Sequence, residues 1–216
     1  MKRVLLTLSV LFIISLCSVS AVGAGNNYVS LNLGTAILSD SDLTEPGATA
    51  EAEFDTGWGF GAAFGYDYGK MRSEVRAEVE IAYRTHDLDS ITVTSPVSDT
   101  VSTDGEITSL AFMLNGYYDF ENSTSLTPYL TGGLGVAKVE IDSLSVTGPG
   151  GVTVAIGSED DTVFAYQLGA GIGYAVSETV TADLAYRLFA TTDPKFGVTK
   201  AEYLTHNISV GVRFAF

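Results

Sequence analysis

Four arginines and four acids carry most of the chemistry open to this 216-residue chain. Arg76, Glu78, Glu80 and Arg84 stand at even positions of "SEVRAEVEIAYR", and Asp119, Asp183, Arg187 and Arg213 follow in later segments. A spacing of two places residues on one face of a strand. The opposite face of the same segment carries Val75, Ala77, Val79, Ile81 and Tyr83. Guanidinium and carboxylate groups taken out of water are tolerated when paired and hydrogen-bonded. The pattern therefore predicts a buried salt-bridge network, with Glu80 level with Arg187 and Arg213 level with Asp183. Such a network either plugs a passage or lines an ion path.

The elements that must position these charges are strands. "DTGWGFGAAFGYDYGK" alternates glycine or alanine with Trp58, Phe60, Phe64, Tyr66 and Tyr68. Coarsely, strands are expected over 27–38, 54–68, 73–85, 106–120, 128–142, 162–176, 179–191 and 203–216. No sustained helical period and no linker interrupts them, so the chain reads as one all-β domain. The connections alternate strictly. "GKMR", "ENSTSLT" and "SE" are short, while those after the first, third, fifth and seventh strands are long, polar and acidic. That puts every long loop at one end of an eight-stranded antiparallel up-and-down β-barrel, the form of outer-membrane barrels.

Which face meets lipid follows from cost. An Arg or Lys at the bilayer midplane costs about 2–4 kcal/mol on the lipid face. Turning four charges of one strand outward would cost on the order of 10 kcal/mol, comparable to a domain's whole stability. In a membrane the charges therefore face the lumen, and the neighbouring Gly57, Gly59, Gly61 and Gly65 leave room for them. Tyr68, Tyr118, Phe120, Tyr129, Tyr174 and Tyr186 near strand ends suit an interfacial girdle. The segment 128–142 is less regular. Leu130, Leu134 and Val136 share one face but Val139 and Ile141 the other, which a bulge near Gly135–Ala137 would explain.

The N-terminus has the marks of an export signal. Lys2 and Arg3 precede an apolar run from Val4 to Leu16, and Val22 and Ala24 suit a cleavage site. Residues 1–24 are read as signal peptide and 25–216 as the barrel. Leu16 before Cys17 argues against a lipoprotein signal, so the mature chain would hold neither thiol nor disulfide. The formal charge of −15 disfavours nucleic acid as a partner.

"LTPYLTGGLGVAKVEID", "VFAYQLGAGIGYAVSETVTADLAYRLFAT" and "LTHNISVGVRFAF" resemble the eight-stranded outer membrane β-barrel family. That family takes in the OmpA transmembrane domain, small porin-like surface proteins and rickettsial surface antigens. The resemblance implies a bacterial outer-membrane location amid lipid and lipopolysaccharide, and folding by the barrel assembly machinery. The assembly signal would be the last strand, with Val210, Val212, Phe214 and Phe216 on one face. Since the chain ends at Phe216, no peptidoglycan-tethering domain is carried over.

The remaining motifs point away from catalysis. "GWGFGAAFG", "GGLG" and "GAGIG" lie within strands, where a nucleotide fingerprint requires a tight turn and a helix start. His206 lies on the apolar face and Ser209 points the other way, which gives no serine–histidine pair; His86 reads as a loop residue. The loop acids Asp40, Asp42, Glu45, Glu51, Glu53, Glu159, Asp160 and Asp161 lack EF-hand spacing, and neither metal nor cofactor is expected. The leading expectation is a structural or surface-interaction barrel (membrane integrity, adhesion or antigenic display), with an external partner at the acidic loops. A narrow porin is the alternative, and a lipid-modifying enzyme the third.

Overall fold

The computed structural model describes residues 26–39, 41–45, 48–69, 74–95, 99–147, 153–196, 199–200 and 202–216. The expected signal peptide lies outside them. Twelve strands occur among these residues: β1 (Asn27–Leu38), β2 (Ser41–Glu45), β3 (Ala48–Phe54), β4 (Gly57–Asp67), β5 (Val75–Ser95), β6 (Asp99–Asp119), β7 (Leu126–Thr147), β8 (Thr153–Ala175), β9 (Val180–Thr191), β10 (Lys195–Phe196), β11 (Thr199–Lys200) and β12 (Leu204–Ala215). Eight of them, β1, β4, β5, β6, β7, β8, β9 and β12, close into an antiparallel barrel, with β1 paired to β12. Closure satisfies every strand edge, which a hydrocarbon surrounding demands.

Short turns join the strands at one end, and local side chains hold them. Asn122 Oδ1 accepts from the Thr124 amide at 2.8 Å while its Nδ2 donates to the Leu126 carbonyl at 2.7 Å. Ser177 Oγ accepts from the Val180 amide at 3.1 Å. At the other end the ladders run on well past the expected strand limits. β5 and β6 stay paired to Val93↔Asp99, and β7 and β8 to Thr147↔Thr153. Register shifts at Asp87/Ser90, Asp104/Glu106 and Ile141/Leu144 mark the rim. Bulges increase twist and concentrate at barrel rims. Above the rim β3 pairs with β5, and β2, β11 and β10 continue that sheet. The long connections thus fold largely as strands.

The outer surface is an apolar band bounded by aromatics. Trp58, Phe60 and Tyr83 cluster near the outer end with ring centres 5.7–6.2 Å apart. Tyr66 with Tyr68, and Tyr118 with Phe120, form the inner-end girdle. Between them Leu114, Leu134, Leu168 and Val210 are each about three-fifths exposed, as a lipid-facing belt requires. Tyr129 departs from the girdle. It faces inward, 4% exposed, and packs edge-on against Tyr117 at 5.6 Å. The expected bulge at Gly135–Ala137 is also absent, because β7 pairs without interruption from Leu126 to Ile141. Ala137 and Val139 point inward and are fully buried, whereas Lys138 points out.

Candidate functional site: a lumen in two layers

The lower lumen, toward the short turns, holds the charges. Arg76 grips Asp119 with two bonds, Nε to Oδ2 at 2.6 Å and Nη2 to Oδ1 at 2.8 Å. Its Nη1 donates to Tyr28 Oη at 3.2 Å and lies 3.8 Å from Glu78. Its guanidinium also sits 4.3 Å from the centre of the Tyr117 ring. A forked bidentate pair with aromatic stacking is what arginine offers and lysine does not. Glu78 accepts from Tyr117 Oη at 2.6 Å, and Arg213 reaches Asp183 at 3.5 Å.

Glu80, 1% exposed, is the hub of the next tier. Arg187 Nη1 donates to its Oε1 at 2.7 Å, and Asn115 and Gln167 donate to Oε2 at 2.7 and 2.9 Å. Arg187 Nη2 reaches Tyr117 Oη at 3.1 Å, which ties the two tiers together. Three donors on one carboxylate offset much of its desolvation. Both expected pairs, Glu80–Arg187 and Arg213–Asp183, are thus present, and Arg76–Asp119 adds a third. Asn115, Gln167 and Tyr117 complete the network but carry no charge, so alternation alone could not single them out.

The glycines of β4 serve this interior in different ways. A Cβ on Gly59 would meet the Arg84 side chain at 3.2 Å, and one on Gly61 would meet Asn32 at 2.7 Å and Glu80 at 3.0 Å. Gly65 instead clears the Tyr28 ring, and Gly57 lies against the β5 backbone and His86. The expectation of glycines beside charges holds for Gly59 and Gly61, and by register for Gly65, which pairs with Glu78.

The upper lumen is different. Leu38, Ile107, Ala111, Met113, Ala137, Val139, Ala165, Phe189 and Tyr203 form one buried apolar cluster across it. Arg84 lies at the boundary, its guanidinium 4.0 Å from the Phe189 ring centre and its Nε donating to Asn207 Oδ1 at 3.1 Å. His86 is not in a loop. It lies on β5, 1% exposed, with its ring edge-on to Tyr203 at 6.2 Å. Two cavities of about 30 and 20 Å³ remain in the polar layer. Each has room for about one or two waters.

On the outside, His206 Nδ1 lies 2.6 Å from Tyr186 Oη, and Ser209 lines the lumen cavities. The histidine's partner is a tyrosine at the outer belt rather than a serine. Lys138, beyond the belt, donates to Glu140 at 3.0 Å and lies 3.5 Å from Asp160.

Comparison with known proteins agrees with this architecture. A family model described as outer membrane protein beta-barrel domain matches residues 7–216. The outer membrane protein PagN of Salmonella typhimurium is 29% identical over 170 residues, 76% of this chain and 70% of its own length. The candidate adhesin RC1281 of Rickettsia conorii is 28% identical over 207 residues, 87% of this chain and 81% of its own. Among solved structures, OprG from Pseudomonas aeruginosa superposes with a TM-score of 0.57 at 17% identity, over 89% of this chain and 98% of its own.

Proposed function

This chain belongs to the outer membrane protein β-barrel family and resides in the bacterial outer membrane, and from that premise we propose that it is a closed, non-enzymatic barrel whose outer hairpins bind a partner surface. The observation that carries this reading is the continuous sheet β10–β11–β2–β3–β5 rising from the rim. Hairpins tied to one another lose less conformational entropy on binding than free loops, so they hold a contact surface ready. Likeness to a candidate rickettsial adhesin supports the same reading.

The chemistry of the surface narrows the partner. Residues 39–56 hold six acids and residues 86–106 five, with no Lys or Arg in either. Such a surface repels sulfated polysaccharide and favours a protein face rich in lysine and arginine. To test this, the chain is displayed on a non-adherent laboratory strain, and adherence to cultured cells and to an immobilised lysine-rich protein is measured. Adherence should weaken with salt, resist competition by heparin and vanish when 88–104 are replaced by Asn-Gly in a still-folded barrel. Equal adherence by the shortened barrel would sink the proposal.

The apolar cluster and the charge network both support a closed lumen, so the refolded barrel should give no steady single-channel current in a planar bilayer. Steady openings would bring the porin reading forward. We further infer that Val210, Val212, Phe214 and Phe216 form the assembly signal. β12 is paired on both sides once folded, so the signal is read before closure. Phe216→Ser should lower the folded fraction in cells and leave refolding of the purified chain unchanged; equal loss in both settings would refute it.

A further inference from the structure

One arginine of the lumen makes no ion pair, although four acids, Glu78 among them, match the four arginines in number. Arg76 pairs with Asp119, Arg187 with Glu80 and Arg213 with Asp183, which leaves Arg84 outside every ion pair among the described residues. Arg84 is 4% exposed, and its Nη1 is buried with no acceptor. Arg187 repeats the feature. Its two Nη atoms are engaged by Glu80 and Tyr117, but its Nε is buried with no acceptor. Both arginines line the same cavity, of about 20 Å³, together with Asn32, Glu80, Asn207 and Ser209.

Two guanidinium groups and one carboxylate give this cavity a net charge of +1. A water molecule accepting from an orphaned N–H group would leave the charge uncompensated. An unpaired buried charge is among the costliest features a fold can carry. The volume, room for about one or two waters, favours a monatomic anion over a larger one. We propose that the cavity between Arg84 and Arg187 is a binding site for a single monatomic anion, chloride under ordinary conditions.

The surroundings give the site one open side. Phe189 and the apolar cluster cover Arg84 toward the outer end. Toward the short turns, the cavity of about 30 Å³ shares Asn32, Arg187 and Ser209 with the site and extends to Arg76 and Arg213. That neighbouring cavity is lined by Glu78 and Asp183 as well as by Arg76, Arg187 and Arg213. The anion would give Arg84 a local counter-charge and needs no flow through the lumen.

The direct test is diffraction from the unaltered barrel crystallised in sodium bromide. An anomalous peak within hydrogen-bond distance of both Arg84 Nη1 and Arg187 Nε is expected, and its absence from that position would overturn the proposal. In solution, the urea midpoint of the refolded barrel is compared in chloride and gluconate at equal ionic strength. Binding to the folded state alone raises the midpoint with chloride concentration, and gluconate, too large to enter, should not act. Arg84→Met removes the charge with little change of volume, so its midpoint should be the same in both salts. A chloride dependence that persists in Arg84→Met would likewise overturn the assignment.

Discussion

The lower and upper halves of the lumen are filled from inner faces of the same barrel, one with charged and amide side chains, the other with apolar ones. An eight-stranded barrel is just wide enough for side chains to fill it, and both sets of side chains occupy that space. They fail in different ways. The polar half depends on every partner being present, because an orphaned charge stays buried. The apolar half depends on volume, and loses in proportion to the space left empty. Among the described residues, cavities of about 20 and 30 Å³ lie in the polar half.

The comparison breaks most sharply at Glu80. Replacing it by alanine leaves Arg187, Asn115 and Gln167 without their shared acceptor. Removing one partner of a buried pair costs about 3–5 kcal/mol. The urea midpoint of Glu80→Ala in lipid vesicles, followed by the unheated gel shift, should fall by that equivalent. The double variant Glu80→Met with Arg187→Met should recover most of the loss, because it strands no charge on this pair. Equal loss in both would mean that the network acts by shape rather than by compensation.

Phe189→Ala addresses the other half. A fully buried phenylalanine truncated to alanine costs about 3 kcal/mol. The gap also removes the ring that covers Arg84. Conductance should therefore separate the halves. Val139→Gly with Phe189→Ala should give brief openings, whereas the double methionine variant below the intact apolar layer should stay silent. Openings in the second alone would place the seal in the charged layer.

The two halves were not equally legible in the sequence. Arg76, Glu78, Glu80 and Arg84 admit one placement once a membrane is assumed, so the strands that carry them and the pairs Glu80–Arg187 and Arg213–Asp183 follow from alternation. The apolar layer is built from the same residue types as the lipid belt, and type alone does not say which face they take. "VAKVEID" is the instructive case. Above the aromatic girdle the outer face meets water, so Lys138 points out while Ala137 and Val139 point in. The faces exchange polarity at the rim with no extra residue, and a bulge is the wrong explanation for that exchange. Tyr129 departs from the girdle for a related reason. It lies near a strand end, as a girdle residue should, but in phase with the inward Thr131.

Glycine substitutions sharpen the comparison with smaller effects. Gly61→Ala would put a methyl group 2.7 Å from Asn32 and 3.0 Å from Glu80. Overpacking of this kind costs about 1–3 kcal/mol, and the loss should shrink when Glu80 is also shortened to Asp. Gly116 gives the control that belongs to neither half. It faces lipid opposite Gly132, and a Cβ there would meet nothing nearer than the Gly132 carbonyl oxygen at 4.0 Å. Alanine at this position restricts the unfolded chain without crowding the folded one, so Gly116→Ala should raise stability by about 0.5 kcal/mol. A gain at Gly116 beside a loss at Gly61, measured on the same vesicles, would assign the cost at Gly61 to the crowded lumen, because both substitutions change the strand backbone alike. A loss at both would mean instead that the strands tolerate no added side chain wherever it points, and the lumen network would then explain less of the glycine pattern than its distances suggest.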